Sequence, residues 1–457
     1  PGSSSSPSSS SSSAAPIIIV VGLNGALQKR FILPNQQILI PGNVHRAQSI
    51  SVGVGGKGQD VAIALNCLGL RKSIKLLQFI GSGTVGDLVY QLLLNELGES
   101  AISSDLTVRS SSEMRTCTTI VASNNESTEL VEPSGIITNE EVDELVTSKL
   151  SNCINNNANA NANISNSISI KSLCIMGSMP PGVDDDTYAK IYSKVVTSGI
   201  YSSITVCVID SLAGINPLLS TASDLIMANT STTGPILIKI NASELCQLVG
   251  TTTSNETTGI TSTELLNAID KFILKYFISS TDSNNKCTPS PPLIGVAITD
   301  GKHAAYFVSF DRHQQDFKVH KFSVPSVNID TISTNTSTLF PIGAGDAVAA
   351  GLVGAWTRLE AEAVTKQEIL LSFRSVGISE NCLELLLTFL KNIQSGLQLD
   401  GITYRVITAF AFGLACGSAS CLQEENSVLD EKDVIQLFQT MSMPDLLHSG
   451  PFPTQSN

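Results

Sequence analysis

From Ile17 onward the chain alternates short β-branched runs with segments whose apolar positions recur at helical spacing. Ile17–Gly22 (IIIVVG) predicts a strand that ends in Gly, and Val61–Leu68, after a cluster of glycines, predicts a helix. Ile74–Ile80 reads as a strand and Leu88–Leu97 as a helix, while Met114–Val121 alternates in strand fashion. Leu173–Met176 predicts a short buried strand and Thr187–Thr197 a helix. Thr205–Ile209, Leu237–Ile240 and Ile294–Ile298 predict strands, and Glu244–Val249 and Asp346–Trp356 predict helices. This alternation predicts an α/β fold, a mainly parallel sheet with helices on both faces. In such sheets a site lies beyond the carboxyl ends of the strands, where Gly-rich loops enter helices.

Four segments break the pattern. Residues 1–15 are mostly Ser, too apolar-poor to offset their ordering entropy, and are expected to be disordered. The Asn-rich tract at 151–167 and the polar stretch at 279–292 read as loops. Residues 360–402 add a helical pattern, LELLLTFLKNIQSGL, between two others. The domain is expected to run from 16 to 440, with 441–457 as a tail.

Composition narrows the partners. The 457 residues hold 27 Lys+Arg and 40 Asp+Glu, a formal net charge of −13. That balance argues against nucleic-acid binding and against docking on an anionic membrane. It also means that an anionic substrate needs a few local cations. The longest apolar candidate for a membrane span, Val406–Cys421, is rich in Ala and Gly and reads as a buried helix. Of the ten cysteines most sit singly in apolar runs, and no CxxC occurs, as expected of reduced thiols. Five histidines show no metal-ligand spacing. The chain starts at Pro1 without a signal-peptide pattern, so the expected location is the cytoplasm, or an organelle if an upstream targeting segment precedes it.

The most specific motif is Gly343-Ala344-Gly345-Asp346, followed by AVAAGLVGAW. Two glycines allow a tight turn at a helix start, whose free N–H groups and dipole suit a transferring phosphoryl group. Asp346 in the first turn is a carboxylate able to take a proton from an attacking hydroxyl, although a capping Asp is the common alternative. Gly55-Gly56-Lys57-Gly58-Gln59-Asp60 opens another helix but has neither P-loop nor dinucleotide-fold spacing. Lys239-Ile240-Asn241-Ala242-Ser243-Glu244 ends a strand and starts a helix, readable as a capping box or as a phosphate and Mg²⁺ site. Gly177-Ser178-Met179-Pro180-Pro181-Gly182 and Thr299-Asp300-Gly301 are further strand-end turns.

Together and in this order the motifs resemble the ribokinase-like PfkB carbohydrate kinases, from about Ile17 to about Leu422. Leu23-Asn24-Gly25-Ala26-Leu27 resembles the N-P-A-L-D start of the 1-phosphofructokinase and tagatose-6-phosphate kinase branch. GGKGQDVAIALNCLG resembles its GGKGxNVAxALxxLG, SSEMRTCTTIV its T-R lid strand, and ELVEPSGIIT the segment that follows. GSMPPGV, IKINASEL and PIGAGDAVAAG are similar to its G-S-L-P-P-G-V, K-P-N-x-x-E-L and nucleotide-site signatures.

The resemblance implies a three-layer α/β/α sandwich with a small β lid, from about 38–52 and 114–131, that often dimerises. It implies ATP-dependent phosphorylation of a phosphorylated ketohexose: fructose 1-phosphate, fructose 6-phosphate or tagatose 6-phosphate. Asp346 would be the general base and Gly343, Ala344 and Gly345 the anion hole. Asn24, Gln28, Gly56, Lys57, Asp60, Arg115 and Ser178 would bind the sugar, with Lys57 and Arg115 on its phosphate. Lys239, Asn241, Thr299, Gly301 and Ser418 would serve ATP, and Asn241 and Glu244 would hold Mg²⁺ through water. Two positions depart from the family: its sugar-binding Asp is Gln28 and its GGKGxN Asn is Asp60. The exchange keeps one carboxylate and one carboxamide. A kinase of an unphosphorylated sugar or nucleoside, and a catalytically silent binding protein, remain the alternatives.

Overall fold

A computed structural model describes residues 16–34, 37–122, 127–159, 170–198, 205–228, 233–252, 259–278, 292–311, 314–327, 339–359, 380–397 and 399–454. The leader at 1–15, the loop at 279–291 and the first part of the 360–402 insertion lie outside the described residues.

The central sheet contains β1 (Ile17–Gly22), β4 (Ile74–Ser82), β5 (Thr107–Glu113), β8 (Ile170–Met176), β9 (Val206–Asp210), β10 (Ile236–Asn241), β11 (Leu293–Asp300), β12 (Ala304–Asp311), β13 (Asp316–Phe322) and β14 (Asp445–Pro451). Their spatial order is β14-β13-β12-β11-β10-β9-β8-β1-β4-β5. From β5 to β11 every neighbour pair is parallel; the β11–β14 end is antiparallel. All six residues of β1 are buried, as expected of a central parallel strand covered on both faces. A second sheet, β3-β2-β6-β7, forms the lid from β2 (Ala26–Ile32), β3 (Ser49–Gly55), β6 (Thr116–Val121) and β7 (Ser127–Val131).

Helices α1 (Lys57–Cys67), α2 (Gly83–Leu97), α3 (Leu150–Asn159), α4 (Thr187–Val196), α5 (Ile215–Met227), α6 (Ala242–Val249), α7 (Ser262–Ile273), α8 (Ala344–Leu359), α9 (Glu380–Gly396), α10 (Gly401–Ser420) and α11 (Glu431–Gln439) cover the sheet. One core lies between the sheet and α1, α2 and α8 to α11, with Ile18 and Val20 facing it. The other, against α4 to α7, receives Ile17, Ile19 and Val21. The alternation along β1 therefore divides the molecule into three layers. Helix α1 begins pressed against β1: a Cβ on Gly58 would lie 2.3 Å from the Cα of Gly22, so only glycine allows this approach.

Several sequence expectations change. Residues 38–48 of the expected lid segment form no strand; the lid uses Ala26–Ile32 instead. Of the expected loop at 151–167, the part through Asn159 is helical and the rest lies outside the described residues. The expected tail contains β14, an edge strand paired with β13. The 380–396 part of the insertion is α9, and it packs Leu386, Leu390 and Ile393 into the core. The apolar stretch near 406–421 is α10, long and apolar enough to cross a membrane by length and composition, yet 83% buried inside the fold.

Candidate active site

Four chain segments meet beyond the carboxyl ends of β8, β9 and β10. Gly343 has φ +85, a left-handed conformation that only glycine adopts without strain, and α8 begins at the next residue. Asp346 lies in the first turn of α8. Around it, the Lys57 ammonium donates to Asp210 Oδ1 at 2.7 Å and to Glu244 Oε1 at 2.9 Å. The Lys239 ammonium donates to the other oxygen, Asp210 Oδ2, at 2.6 Å. Asp210 ends β9 and is fully buried, so both of its oxygens are committed to ammonium groups.

The charge balance of this cluster sets the proton affinities. Burial, then the charge of Asp210, pushes the Asp346 carboxyl up to about 7, against the pull of Lys239 and Lys57. Burial alone would raise Asp210, but Lys239 and Lys57 outweigh it and hold it below the ordinary carboxylate value. Burial works against the Lys57 cation, but Asp210, Glu244 and Asp346 more than offset it and hold the ammonium above its usual value. A carboxyl poised near neutrality at a helix N-terminus is suited to accept a proton at physiological pH.

Asn241 and Glu244 make a complete capping box at the start of α6. Glu244 N–H donates to Asn241 Oδ1 at 2.7 Å, and Asn241 N–H donates to Glu244 Oε2 at 2.9 Å. The box leaves Glu244 Oε1 turned to Lys57, so the cap and the site share one side chain. Thr299, at the end of β11, pairs with Asn241, and Gly301 follows in the turn with φ +54. Ser418 is buried within α10, where its hydroxyl donates to the Pro325 carbonyl at 3.0 Å.

A second group gathers below the lid. Asn24 Nδ2 donates to Ser178 Oγ at 3.0 Å, and Ser134 Oγ donates to Asn24 Oδ1 at 2.8 Å. The Arg115 guanidinium donates to the carbonyls of Asn24 at 2.8 Å and Gly25 at 3.3 Å. Gly56, at φ +117, caps α1 beside Gly25. Gln28 on β2 donates from Nε2 to Thr119 Oγ1 at 2.6 Å. Asp60 is buried, its Oδ1 has no hydrogen-bond partner among the described residues, and burial and Asp346 hold its carboxyl well above the ordinary range. Lys57, which follows Gly56 in the chain, is paired with Asp210 and Glu244 on the Asp346 side.

The reading of motifs missed Asp210, Ser134 and the Asn426-Ser427 segment. The Thr205–Ile209 strand stopped one residue before Asp210. An acid that closes an apolar parallel strand stands where ligands bind in such sheets, and that was the available signal. Nothing in the local sequence of Asn426 marks it, because its neighbours come from distant segments.

The fold is ribokinase-like. It is similar to phosphofructokinase-2 from Escherichia coli, solved in complex with potassium (18% identity, 93% of this chain and 98% of that one, TM-score 0.56). It is also similar to ribokinase from Giardia lamblia (14%, 93% and 99%, TM-score 0.55) and to a possible 1-phosphofructokinase from Thermotoga maritima (16%, 94% and 100%, TM-score 0.53). No curated protein matches the chain. The sequence profile of the pfkB family carbohydrate kinases matches residues 25–276, and the chain belongs to that family. It is a kinase, and kinases of this family use ATP, generally with Mg²⁺.

Proposed function

We propose that the protein transfers the γ-phosphoryl group of ATP to a hydroxyl of a phosphorylated ketohexose, with Asp346 as general base. The observation that carries this reading is Asp346 at the first turn of α8, raised to about 7 beside the Asp210–Lys57–Lys239 cluster. The acceptor hydroxyl loses its proton to Asp346 as its oxygen attacks the γ-phosphorus, and the bond to the leaving ADP oxygen breaks in line. Backbone N–H groups of the 343–345 loop and the Lys57 and Lys239 ammonium groups meet the charge on the transferring group. Among the described residues no cluster of three or more His, Cys, Asp or Glu forms a metal cage. Glu244, whose oxygens already accept from Lys57 and the Asn241 N–H, and Asn241 would hold Mg²⁺ only through its waters, as suits an ion that dehydrates reluctantly. Mg²⁺, when bound there through water, neutralises nucleotide phosphate charge. Thr299 and Gly301 border the nucleotide on the β11 side, while the hydroxyl of Ser418 is already taken by Pro325 and so supports the wall of that pocket from within α10.

On the acceptor side, Arg115 takes the sugar phosphate, and Asn24, Ser178, Gly56 and Asp60 receive its hydroxyls. The unpartnered Oδ1 of Asp60 supports this, because one oxygen of a buried carboxyl is otherwise left without a hydrogen bond while the carboxyl is held by the Gly56 backbone. Gln28 contributes a carboxamide where the family has a carboxylate. The Lys57 ammonium is already paired with Asp210 and Glu244 beside Asp346, which suits the transferring phosphoryl group. That placement favours a second reading, an unphosphorylated sugar or nucleoside as acceptor, because it removes one of the two cations expected at the sugar phosphate.

The test is ADP release with Mg²⁺-ATP and each of fructose 1-phosphate, fructose 6-phosphate, tagatose 6-phosphate, fructose, ribose and adenosine. Turnover on one phosphosugar supports the first reading. Turnover only on a neutral acceptor supports the second. ATP binding with no turnover on any acceptor overturns both and points to a silent family member. Asp60→Ala with unchanged affinity for the active acceptor removes Asp60 from the site.

A further inference from the structure

Arg30 is almost fully buried although it lies on the lid, and neither acceptor nor nucleotide chemistry accounts for it. It stands on β2 two residues from Gln28, on the same inward face of the lid sheet. Its Nη2 donates to Asn426 Oδ1, and its guanidinium lies over the Phe340 ring, 5.3 Å from the centroid. Both contacts flank the anion-hole loop. Phe340 enters that loop three residues before Gly343, and its N–H donates to the Cys421 carbonyl at 2.8 Å. Ser427, next to Asn426, donates its hydroxyl to the Gly343 carbonyl at 2.9 Å. Ser427 is fully buried and has φ +55, an unfavourable conformation for a non-glycine residue that persists only where its surroundings enforce it. The packing leaves no slack: a Cβ on Gly343 would lie 2.7 Å from Ser427 Oγ and 2.9 Å from its backbone nitrogen.

The contacts therefore run without a gap from the lid to the phosphoryl cradle. They go from β2 through Arg30 to Asn426 and Ser427, and on to Gly343. A parallel contact runs from Arg30 to Phe340. Burial weakens the hold of the guanidinium on its proton, and Glu424, Asp60 and Glu425 offset that only in part. The cavity beside it, about 90 Å³, has Gln28, Arg30 and Asn426 on one part of its wall and Val54, Ile63 and Leu92 on another, so lid and body do not close-pack there.

We propose that Arg30 is a positioning residue that couples closure of the lid to the conformation of the Gly343–Gly345 loop. An acceptor held against the inner face of the lid near Gln28 sets β2. Arg30 transmits that position to Asn426 and Phe340, and the cradle reaches its productive shape only with the lid shut. The consequence is suppression of ATP hydrolysis when no acceptor is bound. This rests on the proposed kinase reading, so the first readout is independent of activity.

Hydrogen exchange at the peptide covering residues 342–347 is compared among the intact protein, Arg30→Ala and Asn426→Ala. Both variants are expected to speed exchange in that peptide, more than tenfold, with the thermal midpoint kept within a few degrees. Unchanged exchange there in a folded variant overturns the coupling, whether or not the protein phosphorylates a sugar. Absence of ADP release by the unmodified protein, by contrast, overturns only the kinase reading. With an active acceptor, Arg30→Ala is expected to lower kcat by about 10- to 100-fold while KM for ATP stays within about twofold. It should also raise the share of ATP hydrolysed without acceptor. Arg30→Lys, which keeps a cation over Phe340 and a donor for Asn426, should restore part of kcat, as a space-filling role would not require. If Arg30→Ala does not fold, Asn426→Ala carries the same test, and wild-type kcat and hydrolysis ratio in that variant overturn the proposal.

Discussion

At the scale of single residues, the behaviour of Asp346 follows from where its charge stands. Acting as a base, it must be ionised, and burial with Asp210 holds its proton up to about pH 7. The kcat/KM profile of the protein is therefore expected to rise with pH through about 7 on its acidic limb, as a stopped or coupled ADP assay measures. A profile flat from pH 5.5 to 8 contradicts the assignment. Asp346→Asn should lower turnover by about 10²–10⁴-fold. The same shift has a thermodynamic side. The folded protein keeps this proton to about 7, whereas the unfolded chain releases it near the ordinary Asp value, about 3.9. Folding thus binds protons between these values, and the contribution of Asp346 to stability, complete below the lower one, is lost as pH rises through the higher one. Asp346→Asn, which never ionises, should accordingly raise the thermal midpoint above that of the unmodified protein at pH 8 and change it little at pH 4.5, both without nucleotide. Catalytic poise and stability oppose each other at this one side chain.

At the scale of elements, helix starts repeat one device: a strand ends, a turn presents polar groups, and a helix opens under the lid or the loop. The GAGD turn, the GGKG turn and the Asn241–Glu244 box were legible in the sequence because each is local. Their chemistry depends on spacing along the chain, which sets the positive φ at Gly343 and the reciprocal cap at Asn241. The insertion helix α9 is a different case. Its sequence showed a helical pattern without saying whether it packs. In the fold, Leu386 and Ile393 are fully buried and Leu390 nearly so, against the core shared with α10. Leu386→Ala should therefore destabilise the protein by about 2–5 kcal/mol, as urea unfolding measures, rather than behave as a change in a solvated appendage. A loss below about 0.5 kcal/mol would show α9 to be detachable.

At the scale of the molecule, the lid has two unlike faces. The inward one carries Gln28, Arg30 and Thr119, with Val131 exposed at its edge; the outward one exposes Ile50, Val52 and Leu130. Apolar residues grouped on one side of a four-stranded sheet suit a second copy of the same sheet. We propose a homodimer through this face, and sedimentation of the protein should give twice the chain mass. Ile50→Lys with Leu130→Glu should return the chain mass with the fold intact. A monomer before mutation ends that proposal.

The sequence by itself determined the class of fold, the kinase family and the order of the turns that build the site. Each of these depends on residues close together in the chain: apolar runs that alternate between strand and helix spacing, and glycines at helix starts. The tertiary structure decided what those turns face. Lys57 is as near in sequence to Asp60 as to any acid, yet its ammonium belongs to Asp210 and Glu244, more than 150 residues away. Asp210 was passed over because a strand-ending acid gains its role only when two lysines from other strands and helices converge on it. Arg30 and Asn426 are 396 residues apart, and only the packing of the lid sheet on the body puts one against the other. Local conformational preferences write turns and helices into the sequence. The charge balance around Asp346 and the path from lid to cradle come from contacts between distant segments, and these exist only once the sheet and the lid have assembled.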